Sequence, residues 1–346
     1  MTATRRRPGR MQPADLVPVV GSVAVATVLV TLAFLTTPLA GGFGWVVVTY
    51  LAFLATYSTY IRRTEGGVVA TDRLVTIVVG SLALSALAPL GLVLWYAASK
   101  GAPGLSLHFF TKTLEAVGPL DPATEGGAKN AIIGTVEQVG LATLLSAPLG
   151  VLTAVYLSEY PGRAARTIRF FVDSMSGVPS VVAGLFIYTT WVVGLGKGFS
   201  GLAAAMALAV LMLPTVTRAS EEMLRLVPGG LRESALALGA PQWRTVVKVV
   251  LPTARSGLVT AVLLGVARIA GETAPLLLTA FGSDSVNANP AHGPQSALPL
   301  FAFQRIRNNL PAEVQRGWTA ALVLILLVLV LFTVARVIAS RSRKVA

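Results

Sequence analysis

The sequence lacks cysteine, and only two histidines occur among its 346 residues. A disulfide framework, a thiolate metal site and a cysteine nucleophile are therefore excluded. His108 and His292 both fall in polar segments rich in Gly and Pro, where a solvated side chain is the ordinary interpretation. Charged residues are also scarce, at 12% of the chain, whereas soluble domains carry about 25%. Metal or thiol chemistry has little support, and a soluble globular domain is disfavoured.

Motifs for nucleotide or peptide hydrolysis are missing as well. A phosphate-binding loop ends in Lys followed by Ser or Thr, but Lys197 is followed by Gly198, which has no hydroxyl for magnesium. The sequence contains no His-Glu-x-x-His and no Gly-x-Ser-x-Gly motif. The chain is predicted not to be an enzyme, and any energy from ATP must come from another subunit.

Apolar residues are abundant: 54% of the chain is hydrophobic and the mean hydropathy is +0.72. A hydrocarbon core about 30 Å thick requires about 20 apolar residues per helix, and such runs recur along the chain. They predict an all-α integral membrane protein with about eight transmembrane helices. The predicted spans are Leu16–Leu39, Trp45–Ile61, Leu74–Ala97, Ala131–Leu157, Ile168–Val193, Leu202–Thr217, Leu258–Phe281 and Trp318–Ile338.

Lysine and arginine concentrate in alternate connections between these runs, at 5–10, 62–73, 163–169, 218–255 and 336–344. Cytoplasmic loops carry such an excess, so the pattern predicts a multi-pass protein of the cell (plasma or inner) membrane with both termini cytoplasmic. The net charge of +13 is then a signal of topology. Basic residues dispersed between spans do not support nucleic-acid binding. The first run is predicted to be a retained helix, because no cleavage site clearly follows it.

The connection from Arg218 to Arg255 is the longest basic segment between spans. Pro228 and two glycines interrupt it, and Leu231 to Leu238 are helix-forming residues followed by Gly239, which suits a helix C-terminus. A second short helix is predicted after Pro241. The connection is therefore predicted to form a helix, a tight turn and a second helix on the cytoplasmic face, where a soluble partner can bind it.

This connection resembles the EAA loop of ABC importer permeases, whose pattern is EAA, three residues, Gly, nine residues and I-x-L-P. Ser234 replaces the middle Ala and Val249 replaces the Ile. In that family the loop forms a coupling helix that enters a cleft of the ATPase subunit. The resemblance therefore implies that the coupling residues are Glu233, Ser234, Ala235, Gly239, Leu251 and Pro252.

A second resemblance narrows the substrate. Residues 268–277 read R-x-x-G-E-T-A-P-L-L and are similar to a stretch of PstA-type phosphate permeases. Arg268 and Glu272 are spaced i, i+4, so on a continuous helix they would face the same way and could form a salt bridge. Two interpretations stay open: a structural ion pair, or a guanidinium lining an anion path, for which its planar fork is suited. We assign Arg268, Glu272 and Thr273 to a phosphate path.

Three further features accompany this stretch. Arg218 matches a position of the same permease pattern and is either a cytoplasmic anchor or part of the inner mouth of the path. Residues 174–186 resemble a family segment, G-V-P-S-x-x-x-G-L-F, and are interpreted as a packing and hinge element. Glu137, inside a predicted span, is a further path residue, lies near the outer interface or has an internal partner.

The resemblance implies a type I ABC importer permease core over residues 74–346, preceded by an extension of two helices in residues 1–73. It also implies partners: a dimer of an ATP-binding subunit (PstB-like), a second permease (PstC-like), an extracytoplasmic phosphate-binding protein (PstS-like) and membrane lipid. No cofactor is expected. The alternatives are an importer for another oxyanion such as molybdate or sulfate, an ion-coupled secondary transporter, and a non-transporting membrane scaffold.

Overall fold

The computed structural model describes residues 13–36 and 42–341, and these residues are predominantly helical. The predicted first span runs to Leu39 and the first basic cluster covers residues 5–10, so both extend outside the described residues. The helices are α1 (Pro13–Thr36), α2 (Gly42–Thr64), α3 (Gly67–Gly101), α4 (Leu107–Thr111), α5 (Lys129–Glu159), α6 (Arg163–Ser176), α7 (Ser180–Ile187), α8 (Gly201–Arg225), α9 (Gly229–Ala237), α10 (Gln242–Thr245), α11 (Leu251–Ala270), α12 (Ala274–Thr279), α13 (Leu298–Ile306) and α14 (Pro311–Arg341).

The chain divides into two compact units, Met1–Val93 and Leu94–Ala346, and the division falls inside α3. In the first unit Ala26 of α1 packs with Phe53, Tyr57 and Ile61 of α2. All the candidate site residues lie in the second unit. A separate core beginning at residue 74 stays a prediction.

Seven helices of the described ranges are long and apolar enough to cross a membrane, and the count rises to eight if α6 and α7 are taken as one bent span. The predicted class, an all-α membrane protein, is confirmed. Two of the predicted spans nevertheless have the wrong shape or position.

The predicted fifth span, Ile168–Val193, is not one straight helix. α6 ends at Ser176, and a bend of 101° separates it from the second segment, Ser180–Gly194, in which α7 continues as a π-helix from Tyr188. Pro179 is extended, with φ −59° and ψ 141°. Proline also disfavours the helical conformation of the residue before it, so the helix breaks here although the hydropathy continues.

The predicted seventh span, Leu258–Phe281, is displaced towards the N-terminus. Its helix runs from Gln242 to Ala270, through α10, a π-helical turn at Val246–Val250 and α11. The second short helix predicted after Pro241 is therefore the beginning of this span. Pro252 is tolerated inside it because the wider π turn precedes the proline, whose ring would clash with the carbonyl of residue 248 in an α-helix.

The core of the second unit is formed by α5, α8, α11 and α12, which approach one another at small residues. A Cβ atom on Gly265 of α11 would lie 2.7 Å from Cγ2 of Val216 on α8. A Cβ atom on Gly184 of α7 would lie 2.6 Å from Cα of Pro275. Both glycines let helix backbones meet closely, as in other membrane bundles. Gly184 thus has the packing role expected for residues 174–186, whereas a hinge there remains a prediction.

Candidate functional site

The stretch assigned to the anion path lies at a break in the bundle. α11 ends at Ala270, Gly271 has φ −97° and ψ 0°, and α12 begins at Ala274 with Pro275 in its first turn. Glu272 and Thr273 therefore lie on the non-helical backbone between the two helices. Irregular backbone within a membrane bundle is tolerated where protein covers it or where it lines a cavity.

The predicted salt bridge between Arg268 and Glu272 is wrong. The i, i+4 spacing brings two side chains together only on a continuous helix, and this helix ends between them. Nη1 of Arg268 instead donates a hydrogen bond to Oγ1 of Thr215 on α8, at 3.0 Å. Among the residues that the structure describes, Thr215 is the only acceptor for this guanidinium, and no ion pair joins it to Glu272.

Thr215 fixes the depth of Arg268 in the bundle. It lies 14 residues after Gly201 and 10 residues before Arg225, the two ends of α8. At about 1.5 Å per residue these separations are about 21 Å and 15 Å, so Arg268 is near the middle of the span. Its side chain is exposed on the surface of this chain.

Arg218, the other predicted path residue, belongs to a network of charges near the C-terminal end of α8. It pairs with Asp173 of α6, and its Nη1 lies 2.8 Å from Oε2 of Glu221. Glu221 is only 1% exposed and also accepts hydrogen bonds from Arg169 and Arg225, at 2.7 and 2.8 Å. One buried carboxylate thus holds three guanidinium groups and ties α6 to α8. We name this the Glu221 network.

The predicted coupling residues fall into two groups. Glu233 and Ser234 of α9 are exposed and Ala235 is half-buried, while Gly239 has φ +82° and makes the turn after the helix. Within the described residues, no acceptor or donor contacts the Glu233 carboxylate. Leu251 and Pro252 lie at the start of α11, and Leu251 packs against the small core formed by Ala154, Leu224, Val227, Val250 and Ala254. The first group can meet a partner, while the second supports the base of the loop.

α9 is fixed to the membrane bundle by one ion pair that the sequence did not reveal. Nε and Nη2 of Arg232 donate to the carboxylate of Glu159, the last residue of α5, at 3.2 and 2.8 Å. The same guanidinium donates to the backbone carbonyls of Val227 and Leu224, at 2.7 and 2.9 Å. Gln242 also donates to the carbonyl of Glu159, at 2.6 Å. The exposed helix is thereby joined to the end of a membrane span.

Glu137 has the internal partner that was one of its three interpretations. Nε2 of Gln295 donates to its Oε2 at 2.5 Å, and Oε1 of Gln295 accepts from Nε2 of Gln138 at 2.9 Å. Gln138 and Gln295 are each 1% exposed. The segment before α13 therefore enters the bundle and is hydrogen-bonded to α5.

Comparison with known proteins decides the family. Residues 146–344 match the model described as binding-protein-dependent transport system inner membrane component. The chain belongs to this permease family. The matched range contains Arg218, Arg268, Glu272, Thr273 and the predicted coupling residues, whereas Glu137 lies before it.

This permease is similar to proteins of the PstA type. It is 42% identical over 291 residues to the phosphate transport system permease protein PstA 1 of Mycobacterium tuberculosis, covering 83% of this chain and 92% of that protein. It is 42% identical over 247 residues to PstA of Mycobacterium leprae, covering 71% and 81%, and 40% identical over 248 residues to PstA of Xylella fastidiosa, covering 71% and 84%. An inward-facing structure of the MetNI methionine ABC transporter is 23% identical, with a TM-score of 0.49, and covers 62% of this chain and 94% of that one.

The match to the family model and the identity to the PstA proteins establish that the chain is a PstA-type ABC importer permease, a transport component rather than an enzyme. With its apolar helices it is a multi-pass membrane protein. Such a permease requires an ATPase partner and other transport components.

Proposed function

We propose that this permease is the membrane-spanning subunit of an ATP-driven phosphate importer and provides part of the translocation path. The similar proteins described above are named as components of phosphate transport systems. The observation that carries the proposal is the position of Arg268, a guanidinium near mid-span whose one partner among residues 13–36 and 42–341 is the neutral hydroxyl of Thr215.

An arginine at the centre of a bilayer costs about 2.5 to 3.5 kcal/mol even on insertion scales. Such a residue is therefore expected to face the interior of a helix bundle or a water-filled path, not lipid. Thr215 occupies only part of its donor capacity, and the remaining N–H groups suit the bidentate binding of an oxyanion. Glu272 and Thr273, on the adjacent non-helical backbone, complete the proposed path. A second, PstC-like permease covers this face and closes the path.

Arg218 is kept in the proposal at the inner end of the path. Its ion pairs with Glu221 and Asp173 favour a role in holding α6 against α8 over direct contact with the anion. Of the two interpretations of this residue, the structural one has the stronger support.

We further propose that α9 is the helix on which a PstB-like ATPase dimer acts. The exposed Glu233 and Ser234 provide the contact, and the ion pair between Arg232 and Glu159 transmits the movement to α5. The N-terminus and C-terminus are cytoplasmic in this arrangement, and a PstS-like binding protein delivers phosphate to the opposite face. Residues 1–73 form an extension preceding the core of residues 74–346.

Arg268→Gln is expected to lower the initial rate of ATP-driven phosphate uptake about tenfold to a hundredfold, because charge-assisted hydrogen bonds contribute about 1.5 to 3 kcal/mol. The measurement uses the complete importer in vesicles with radiolabelled phosphate. Arg268→Lys keeps the charge but loses the planar fork, so its uptake rate should lie between those of the parent and of Arg268→Gln. Arg62→Gln removes an exposed charge elsewhere and serves as the control. Wild-type uptake in Arg268→Gln would refute the assignment of this residue.

The same vesicles separate the competing functions. A tenfold excess of sulfate or molybdate should leave phosphate uptake nearly unchanged, and strong competition would indicate an importer for another oxyanion. Uptake driven by an ion gradient without ATP would indicate a secondary transporter.

Glu233→Arg is expected to weaken binding of the ATPase subunit by at least tenfold, because truncating or reversing a charge at an interface costs about 2 to 5 kcal/mol. Co-purification of the ATPase with the tagged permease measures this directly. Glu222→Arg is the matched control, since Glu222 is an acidic side chain 65% exposed at the end of α8. Full retention of the ATPase by Glu233→Arg would show that α9 is not the docking helix.

A further inference from the structure

α6 carries exposed aromatic and basic side chains that have no role in the proposed transport function. Ala165 and Val172, which are 2% and 5% exposed, form the side that packs into the bundle. Phe170 and Phe171 are 66% and 60% exposed, and their rings meet edge to face at 5.9 Å. Exposed aromatic rings on a helix with several basic residues require a partner that is partly apolar and partly anionic.

The contacts of Arg169 fix the level of α6 in the bundle. Its Nη2 donates to the carbonyl of Leu157 at 3.2 Å and to Glu221 at 2.7 Å. Leu157 lies two residues before the end of α5, and Glu221 lies four residues before the end of α8. These separations are within about one helical turn, so the middle of α6 is level with the ends of two membrane spans.

The direction of α6 differs from that of the segment that follows it. The bend of 101° places α6 nearly perpendicular to Ser180–Gly194. α6 is level with the ends of two spans and runs across the direction of the apolar segment that follows it. This position and direction suit a helix that lies along the surface of the membrane.

α6 has an apolar edge and an exposed basic side. Ile168, Phe171 and Met175 follow one another at spacings of three and four residues and form the apolar edge beside the buried side, with Phe171 exposed and the other two half-buried. Arg163 and Arg166 are exposed on the side of the helix away from this edge, where Phe170 also lies. The acidic residue of the helix, Asp173, is paired with Arg218. The outward charge of α6 is therefore positive.

We propose that α6 is an interfacial helix that lies on the cytoplasmic leaflet and binds anionic lipid. Ile168, Phe171 and Met175 enter the acyl region, while Arg163 and Arg166 contact the phosphate groups of the lipids. An apolar edge that carries an aromatic residue, with arginines on the side away from it, is the pattern of helices that lie in the interface. The cytoplasmic leaflet is the anionic one, which matches the charge of this helix.

The absence of cysteine from this chain permits a direct test. Phe171→Cys and Arg166→Cys are labelled with bimane in the complete importer, in vesicles containing phosphatidylglycerol, and the labelled parent complex gives the background. Quenching by lipids with a nitroxide near the headgroup is expected to be at least about threefold stronger at position 171, and quenching by iodide stronger at position 166. Met175→Cys repeats the measurement on the apolar edge, and Arg163→Cys repeats it on the basic side.

Two outcomes would overturn the proposal. Lipid quenching that changes steadily from position 163 to position 175, regardless of side, would show that α6 crosses the bilayer. Resistance of position 171 to both quenchers would show that protein covers the apolar edge.

The headgroup contact is tested separately by adding Arg163→Gln and Arg166→Gln to the Phe171→Cys chain. Each arginine near an anionic surface contributes enough to change local lipid enrichment about fivefold, so with both removed the preference for nitroxide phosphatidylglycerol over nitroxide phosphatidylcholine should fall by up to about 25-fold. An unchanged preference would show that these arginines do not bind the lipid phosphates.

Discussion

Glu221→Ala is expected to remove most of the folded permease from the membrane. The carboxylate is 1% exposed and accepts hydrogen bonds from Arg169, Arg218 and Arg225. Removing it leaves several guanidinium groups close together without their shared counter-charge. Breaking a buried ion pair by deleting one partner costs about 3 to 5 kcal/mol, against a total stability of about 5 to 15 kcal/mol. The yield of monodisperse protein in detergent and its thermal unfolding midpoint measure the effect.

The adjacent residue supplies the control for this experiment. Glu222 carries the same carboxylate on the same helix but is 65% exposed, 3.7 Å from Arg225. Glu222→Ala should change stability by only about 0 to 1 kcal/mol, as expected for a surface ion pair. Glu221→Gln keeps the shape and an acceptor but loses the charge, so its stability should lie between those of Glu221→Ala and the parent. Equal stability of Glu221→Ala and Glu222→Ala would mean that the Glu221 network does not hold α6 against α8.

The features that the sequence predicts well depend on properties averaged over long segments, such as hydropathy and length. The length and apolarity of the runs predict an all-α membrane protein, and the family resemblance predicts the permease. The loop around Gly239 was also predictable, because a glycine after a helix-forming run favours the left-handed conformation observed there, with φ +82°.

The errors arise where hydropathy continues through a break in the backbone. Pro179 ends one predicted span, and the change from α11 to α12 at Gly271 ends another, although the apolar residues continue on both sides. Since the salt bridge of Arg268 with Glu272 required a continuous helix, it fails together with that assumption. Two ion pairs that join α5 or α6 to later helices, Arg169 with Glu221 and Arg232 with Glu159, link residues 52 and 73 positions apart. Such pairs depend on helix packing, which residue spacing alone does not specify.

Glu159→Arg is expected to reduce ATP-driven phosphate uptake about a hundredfold while leaving the ATPase bound to the permease. The substitution places two positive charges together where Arg232 now donates to Glu159 at 2.8 Å, so α9 loses its attachment to the end of α5. Glu233 and Ser234 are unchanged and exposed, so the partner can still dock. On the same preparation, uptake in vesicles should therefore fall while the ATPase still co-purifies with the permease.

Exchanging the two charges, Glu159→Arg with Arg232→Glu, tests whether the ion pair itself is responsible. The exchanged pair restores the attraction between α5 and α9, but a glutamate at 232 cannot donate to the carbonyls of Val227 and Leu224, which accept from Arg232 at 2.7 and 2.9 Å. Uptake should therefore recover only in part, to about a tenth of the parent rate or more, since each lost hydrogen bond costs about 0.5 to 1.5 kcal/mol. If the exchange recovers nothing although the ATPase stays bound, the movement of α9 reaches the bundle by another route, of which the helix continuing from Gln242 into α11 is the nearest.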